Sequence, residues 1–137
     1  MKLGAIDLFC GCGGISAGLS EAGFDVVAGA DINPKYIQTF AHNFPSAKSV
    51  TEDITKISPK DFLAMIRKNK DDIAIIVGGP PCQGFSKNVP RKQRYLADPR
   101  NLLIRVFAGH SGSFSALRVN GGRKAATILS LRYSSSR

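Results

Sequence analysis

Ile73-Ala-Ile-Ile-Val77 runs directly into Gly78-Gly-Pro-Pro-Cys-Gln-Gly-Phe-Ser86, and the fold is read outward from this junction. The five apolar residues read as a buried strand. The two prolines that follow lack an N–H and fix φ, so the backbone neither extends the strand nor enters a helix; it turns out of the sheet. Cys82 is thereby placed on a loop at the strand's carboxyl end, the edge where open α/β sheets bind their ligands. A thiol set there among prolines and glycines is a candidate nucleophile. A free cysteine is more often a small buried hydrophobe, and Pro-Cys in isolation favours that reading.

The chain of 137 residues has room for one domain with a core of its own. A hydrophobic fraction of 43% is ordinary for a soluble protein, and no apolar run approaches the ~18 residues of a membrane span. Asp7 interrupts what would be the apolar part of a signal peptide, so a cytoplasmic location and no membrane are expected. Three cysteines, two of them in Cys10-Gly-Cys12, make neither a disulfide framework nor a zinc spacing. With only His42 and His110 as further soft ligands, no metal is expected. The net charge of +9 suggests an anionic partner. However, residues 1–103 hold 13 basic and all 10 acidic residues, whereas 104–137 hold 6 basic residues and no acid. Most of the excess therefore belongs to the tail, where a solvated basic segment is the ordinary reading.

Taken in order, Lys2 to Phe9 reads as a first strand, Cys10-Gly-Cys-Gly-Gly14 as a glycine turn, and Ile15 to Ala22 as a helix closed by Gly23. Glycines at 11, 13 and 14 let backbone N–H groups and a helix N-terminus approach a ligand, although a glycine turn alone is equally a tight turn. Phe24 to Ala30 reads as a second strand with Asp31 at its end, about twenty residues past the glycine turn, where a ribose-binding carboxylate is expected. Asp31 could equally cap the helix Pro34 to Asn43, a role open to Asn33 as well. Ala47 to Val50 reads as a short third strand followed by Glu52-Asp53-Ile54, in which Asp53 could accept from an adenine amino group. Ser58 and Pro59 start a helix running to about Asn69, with Leu63, Ile66 and Phe62 on its buried face. The alternation argues for a parallel, doubly wound α/β sheet with a cofactor across its carboxyl edge.

Lys87 to Ala97, including Arg91-Lys-Gln-Arg-Tyr95, reads as a basic loop able to close on a phosphate backbone, with solvation as the default. Asp98-Pro-Arg-Asn-Leu-Leu103 begins another helix. From Ile104 to Arg137 the composition shifts to Gly, Ser, Ala and Arg; Ala125 to Tyr133 reads as one apolar turn or strand, and the Ser-Ser-Ser-Arg end as disordered.

Residues 3–103 resemble the N-terminal portion of the DNA (cytosine-5-)-methyltransferase family. The nonapeptide around Cys82 is similar to the family's nucleophile loop, with Pro80, Pro81 and Ser86 in it, and Asp7-Leu-Phe-Cys-Gly-Cys-Gly-Gly14 resembles its S-adenosylmethionine loop. The resemblance implies a Rossmann-like fold with an incomplete parallel sheet. It implies Cys82 as catalytic nucleophile and Phe9, Gly11, Gly13, Asp31, Ile32, Asp53, Ile54, Pro80 and Leu103 as cofactor-binding residues. Asp31 stands where the family usually has a glutamate, and Ile32 where an apolar side chain packs on the adenine. The implied chemistry is addition of a thiolate to carbon 6 of a flipped cytosine, which makes carbon 5 nucleophilic toward the sulfonium methyl group. Such a thiolate needs a positive local field, for which Arg100 is one candidate.

The implied partners are double-stranded DNA, a cognate restriction endonuclease and, because no glutamate follows Glu52, a second chain supplying missing motifs. In the family a glutamate of a Glu-Asn-Val motif on the next strand assists at ring nitrogen 3. Its loss together with the acidic residues after Leu103 suggests a frameshift or truncation, with 1–103 as part of the cofactor-binding domain and 104–137 as an atypical tail. The alternative function is a non-catalytic S-adenosylmethionine-binding fragment or an inactive truncated product. On this reading the sheet edge beside the fourth strand is uncovered, and the chain alone is expected to aggregate or stay partly molten.

Overall fold

A computed structural model describes residues 3–79 and 126–129. The elements in chain order are β1 (Gly4–Leu8), α1 (Gly14–Glu21), β2 (Asp25–Asp31), α2 (Pro34–Asn43), β3 (Lys48–Thr51), α3 (Pro59–Ile66), β4 (Ile73–Gly78) and β5 (Ala126–Leu129). Short 3₁₀ turns precede α3 (Ile54–Lys56) and β4 (Lys70–Asp72). The strands form one parallel sheet in the order β3-β2-β1-β4-β5. The observed α/β architecture is the expected one.

Because β1 is central, all five of its residues are buried, and its alternating side chains feed both faces. Ile6 and Leu8 join Ala28, Ala30, Val50, Ile73 and Ile76 in a core closed by Phe62 and Ile66 of α3. On the other face, Ala5, Ile75 and Val77 meet Ile15 and Leu19 of α1, and Cys10 and Val26 meet Ile37 and Phe40 of α2. Helices thus cover both faces. Phe40 reaches the sheet because β2 carries Gly29 beneath it: a Cβ there would fall inside the Phe40 ring.

Local sequence sets the helix boundaries. Asn33 caps α2 by accepting from the Lys35 N–H at 3.0 Å, and Pro34 supplies the pre-set φ of the first turn. Ser58 caps α3 reciprocally, accepting from the Asp61 N–H at 3.1 Å while its hydroxyl donates to the Asp61 carboxylate at 2.6 Å. Helix α1 ends on Gly23 at φ 89 with the Phe24 N–H donating to the Leu19 carbonyl, a Schellman closure.

The structure differs from expectation in three places. Helix α3 stops at Ile66, not near Asn69, because Arg67 takes a left-handed φ of 53 and the Lys68 N–H closes back on the Leu63 carbonyl. Its buried face is built on Phe62 and Ile66, with Leu63 only half-buried, since positions four apart share a face. The third difference is β5. Ala126-Thr-Ile-Leu129 pairs in parallel with β4, so that side of β4 is not an open edge; β-branched Thr127 and Ile128 suit a strand despite the basic tail around them. The 103/104 boundary, the basic loop at 87–97, the helix start at Asp98 and the terminal serines lie outside the described residues. No helix among the described residues is long and apolar enough to cross a membrane.

Candidate functional site

The register brings the carboxyl ends of the strands into one row: Val50, Ala30, Leu8, Gly78 and Leu129 are successive partners across the sheet. The described residues that follow these strand ends stand at the same edge: the glycine turn after Leu8, Asp31 after Ala30, and Asp53 and Ile54 after Val50. Site residues distant in sequence are thus gathered by strand pairing alone.

The glycine turn is held by several partners. The Cys10 N–H donates to the Ala30 carbonyl at 3.0 Å, and the Gly13 N–H to the Cys10 carbonyl at 2.9 Å. The Gly11 N–H donates to Asp31 Oδ2 at 2.9 Å, and Asp31 Oδ1 accepts from the Asn33 N–H at 2.9 Å. Asp31 is therefore not the α2 cap, which Asn33 provides; it bridges the glycine turn to the entry of α2. The turn contains three left-handed residues, Phe9 at φ 64, Gly11 at φ 55 and Gly13 at φ 95. For Phe9 that conformation costs about 1–3 kcal/mol. Its ring packs on the core beneath β1, and the bonded strand end behind it fixes the backbone, so strain is concentrated where the loop leaves the sheet. Gly13 and Gly14 differ in purpose. At Gly13 a Cβ would come within 2.5 Å of the Phe44 ring, so this position is needed for packing, while Gly14 faces open space.

Beside the turn lies a cavity of about 510 Å³ lined by Gly11, Cys12, Gly14, Ile15 and Tyr36. Of the expected cofactor residues that the structure describes, Gly11 alone is among these. Ile32, just before α2, is 68% exposed and Tyr36, in its first turn, 48%. Ile54, expected at an adenine edge, has its side chain in the core. Asp53 caps the 3₁₀ turn through Oδ1, which accepts from the Thr55 N–H at 3.0 Å and the Thr55 hydroxyl at 2.7 Å. The Thr55 hydroxyl first, then the Thr55 N–H and the Lys56 ammonium, hold the Asp53 carboxyl below its ordinary value against the opposing effect of burial. Within β1, Asp7 is fully buried and accepts from the Ser16 hydroxyl at 2.7 Å, tying strand to helix across the turn. Sequence reading passed over Ser16, Tyr36 and Asn43; a carboxylate inside a buried strand was the one local sign that Asp7 needed a partner such as Ser16. Pro80, Cys82, Arg100 and Leu103 lie outside the described residues. Among those described, no three His, Cys, Asp or Glu residues group as metal ligands.

The sequence model of the C-5 cytosine-specific DNA methylases matches residues 3–108, a span that takes in both the glycine turn and the loop of Cys82. The chain belongs to this family.

Among relatives, the chain is 40% identical over 107 residues to the type II methyltransferase M1.HphI of Haemophilus parahaemolyticus, covering 78% of the chain and 28% of that protein. It is 40% identical over 99 residues to M.XorII of Xanthomonas oryzae pv. oryzae, covering 72% and 23%. In three dimensions it is similar to a prophage-encoded Escherichia coli protein assigned as a DNA modification methyltransferase (TM-score 0.64, 37% identity, 77% of this chain and 28% of that one). It is also similar to the Schizosaccharomyces pombe Dnmt2 methyltransferase (TM-score 0.58, 26% identity, 89% and 34%). The chain thus spans about a quarter to a third of the length of these relatives.

Proposed function

We propose that this chain carries the cofactor-binding and nucleophile portion of a DNA cytosine-5 methyltransferase, which transfers a methyl group from S-adenosylmethionine to carbon 5 of cytosine in double-stranded DNA. The observation that carries this reading is the family match across residues 3–108, which joins the glycine turn to the Cys82 loop on strands whose carboxyl ends are flush.

The described residues suit such a cofactor. The cavity volume of about 510 Å³ lies within the ~300–1,000 Å³ of small-molecule sites. Each Asp31 oxygen has taken one backbone N–H and keeps a further lone pair for a ribose hydroxyl. Exposed Ile32 offers an apolar face to a base. Phe9, Gly11 and Gly13 shape the turn, Asp53 has one carboxylate oxygen outside its own cap, and Ile54 anchors that segment in the core. Pro80 and Leu103 complete the proposed cofactor set.

When bound, S-adenosylmethionine supplies an electrophilic methyl group. The Cys82 thiolate adds to carbon 6 of a cytosine turned out of the duplex, forming a C–S bond and moving the C5=C6 electron pair toward carbon 5. The methyl group would pass from the sulfonium, left as a neutral thioether, to carbon 5; water or a base would then take the carbon-5 proton as the C5=C6 bond re-forms and the C–S bond to Cys82 breaks, releasing the thiolate. The proposed partners are duplex DNA, a cognate restriction endonuclease, and a second chain that supplies the nitrogen-3 acid.

Calorimetry with S-adenosylmethionine and trapping on duplex DNA containing 5-fluorocytosine test this. Cofactor binding together with an adduct that Cys82→Ser abolishes is the expected result. Binding without an adduct would favour a non-catalytic cofactor-binding chain. A flat titration would overturn the cofactor reading itself.

A further inference from the structure

The glycine turn is gripped from the far end of α2 as well as from Asp31. Asn43, the last residue of α2, donates its Nδ2–H to the Cys12 carbonyl at 3.0 Å across 31 residues of sequence. Next to it, Phe44 fills the space that a side chain at Gly13 would need, and Phe44 in turn rests on Phe40 with ring centroids 5.0 Å apart. The Cys12–Gly13 peptide is therefore pinned on both sides, its carbonyl by Asn43 and its N–H by the Cys10 carbonyl at 2.9 Å. Gly11 and Gly13, both left-handed, flank Cys12 and impose little steric restriction on the peptide planes around it. The Cys10 carbonyl holds one side of this peptide from within the turn, and Asn43 holds the other from outside it.

We infer that Asn43 is a positioning residue for the glycine turn: its side-chain amide fixes the plane of the Cys12–Gly13 peptide and with it the wall that Cys12 and Gly14 present to the cavity. The inference rests on the proposed cofactor reading for its functional consequence, though not for its structural one. Asp31 secures the near side of the turn and Asn43 the far side, so α2 works as a brace with one contact before its first turn and one at its last residue. Phe40 and Phe44 hold that brace against β2 and the turn.

Asn43→Ala in the full chain separates this role from a merely helical one. Alanine is the strongest helix former, so its gain in helix propensity offsets the lost hydrogen bond and the melting temperature should change little. A residue serving the helix alone would leave S-adenosylmethionine affinity unchanged. A positioning residue should raise the dissociation constant roughly three- to tenfold, the effect of one hydrogen bond. Asn43→Asp keeps the shape but sets a carboxylate oxygen against the Cys12 carbonyl, and should weaken binding at least as much. Amide exchange without cofactor supplies the second readout: Gly13 and Gly14 should exchange faster in both variants, with β1 and β4 amides unchanged. Equal affinity for wild type and Asn43→Ala would overturn the inference. If the wild type binds no S-adenosylmethionine, the cofactor reading fails, and exchange at Gly13 and Gly14 decides the role of Asn43, unchanged rates overturning it.

Discussion

Two carboxylates stand at neighbouring strand ends and act over different ranges. Asp31, at the end of β2, has both oxygens engaged by backbone N–H groups, one of them on Gly11 twenty residues earlier. Asp53, two residues past the end of β3, spends its carboxylate on Thr55 and Lys56 inside its own turn. The strands are adjacent and Asp31 is the register partner of Thr51, so position at the sheet edge does not distinguish them. Partner range does. A carboxylate bonded across the fold organises the glycine turn, whereas one bonded two and three residues ahead shapes only its own turn.

Asp31→Ala should break the comparison most sharply. It removes two charge-assisted hydrogen bonds and leaves two partly buried N–H groups to find water. At about 1.5–3 kcal/mol for a bond to a charged group, with partial exposure reducing the total, a loss of about 2–4 kcal/mol is expected. The glycine turn should loosen with it, and S-adenosylmethionine binding should disappear in calorimetry. Retained binding at wild-type affinity would show that the Gly11 bond is not what holds the turn.

Asp53→Ala should do less. Loss of a capping carboxylate costs about 1 kcal/mol, and buried Ile54 within the turn and half-buried Ile57 after it still anchor it to the core. The cost carries a pH signature. The folded Asp53 carboxyl lies below the ordinary 3.8, so its stabilisation is present above that value and is lost as the pH falls from it through the lower folded value. The difference in melting temperature between wild type and Asp53→Asn should therefore shrink as the pH is lowered from 6 to 3. A difference that grew toward acid would mean that burial, and not Thr55, dominates at this carboxyl.

The same contrast of range explains how much was legible in the sequence. Features fixed within a few residues were read directly: the Asn33-Pro34 and Ser58-Pro59 starts, the Gly23 stop and the apolar strands all appear where propensity and caps place them. Strand pairing then gathered Asp31 and the glycine turn at one edge, as parallel α/β topology requires. The stop of α3 was missed because Arg67 takes a left-handed conformation that residue type does not announce, where Gly23 does the same work openly. Asn43 was read only as a helix end, since nothing local indicates a carbonyl 31 residues away. β5 was foreseen as an apolar turn or strand, but its place beside β4 depends on pairing between segments some fifty residues apart.

The smallest test bears on the charge next to Asp53. Lys56 Nζ lies 3.7 Å from Asp53 Oδ2, with its side chain 80% exposed, and it is a lesser cause of the lowered carboxyl than either Thr55 contact. An exposed pair of this kind is screened by water and salt, and holding a long side chain in one place costs rotamer entropy, so Lys56→Ala should change stability by no more than about 0.5 kcal/mol. The change should vanish in high salt, while the effect of Thr55→Ala, which removes a hydrogen bond and not a charge, should persist there. If Lys56→Ala instead weakened S-adenosylmethionine binding severalfold with stability intact, Asp53 would belong with Asp31 as an organiser of the edge, and the division between long-range and local carboxylates would be wrong.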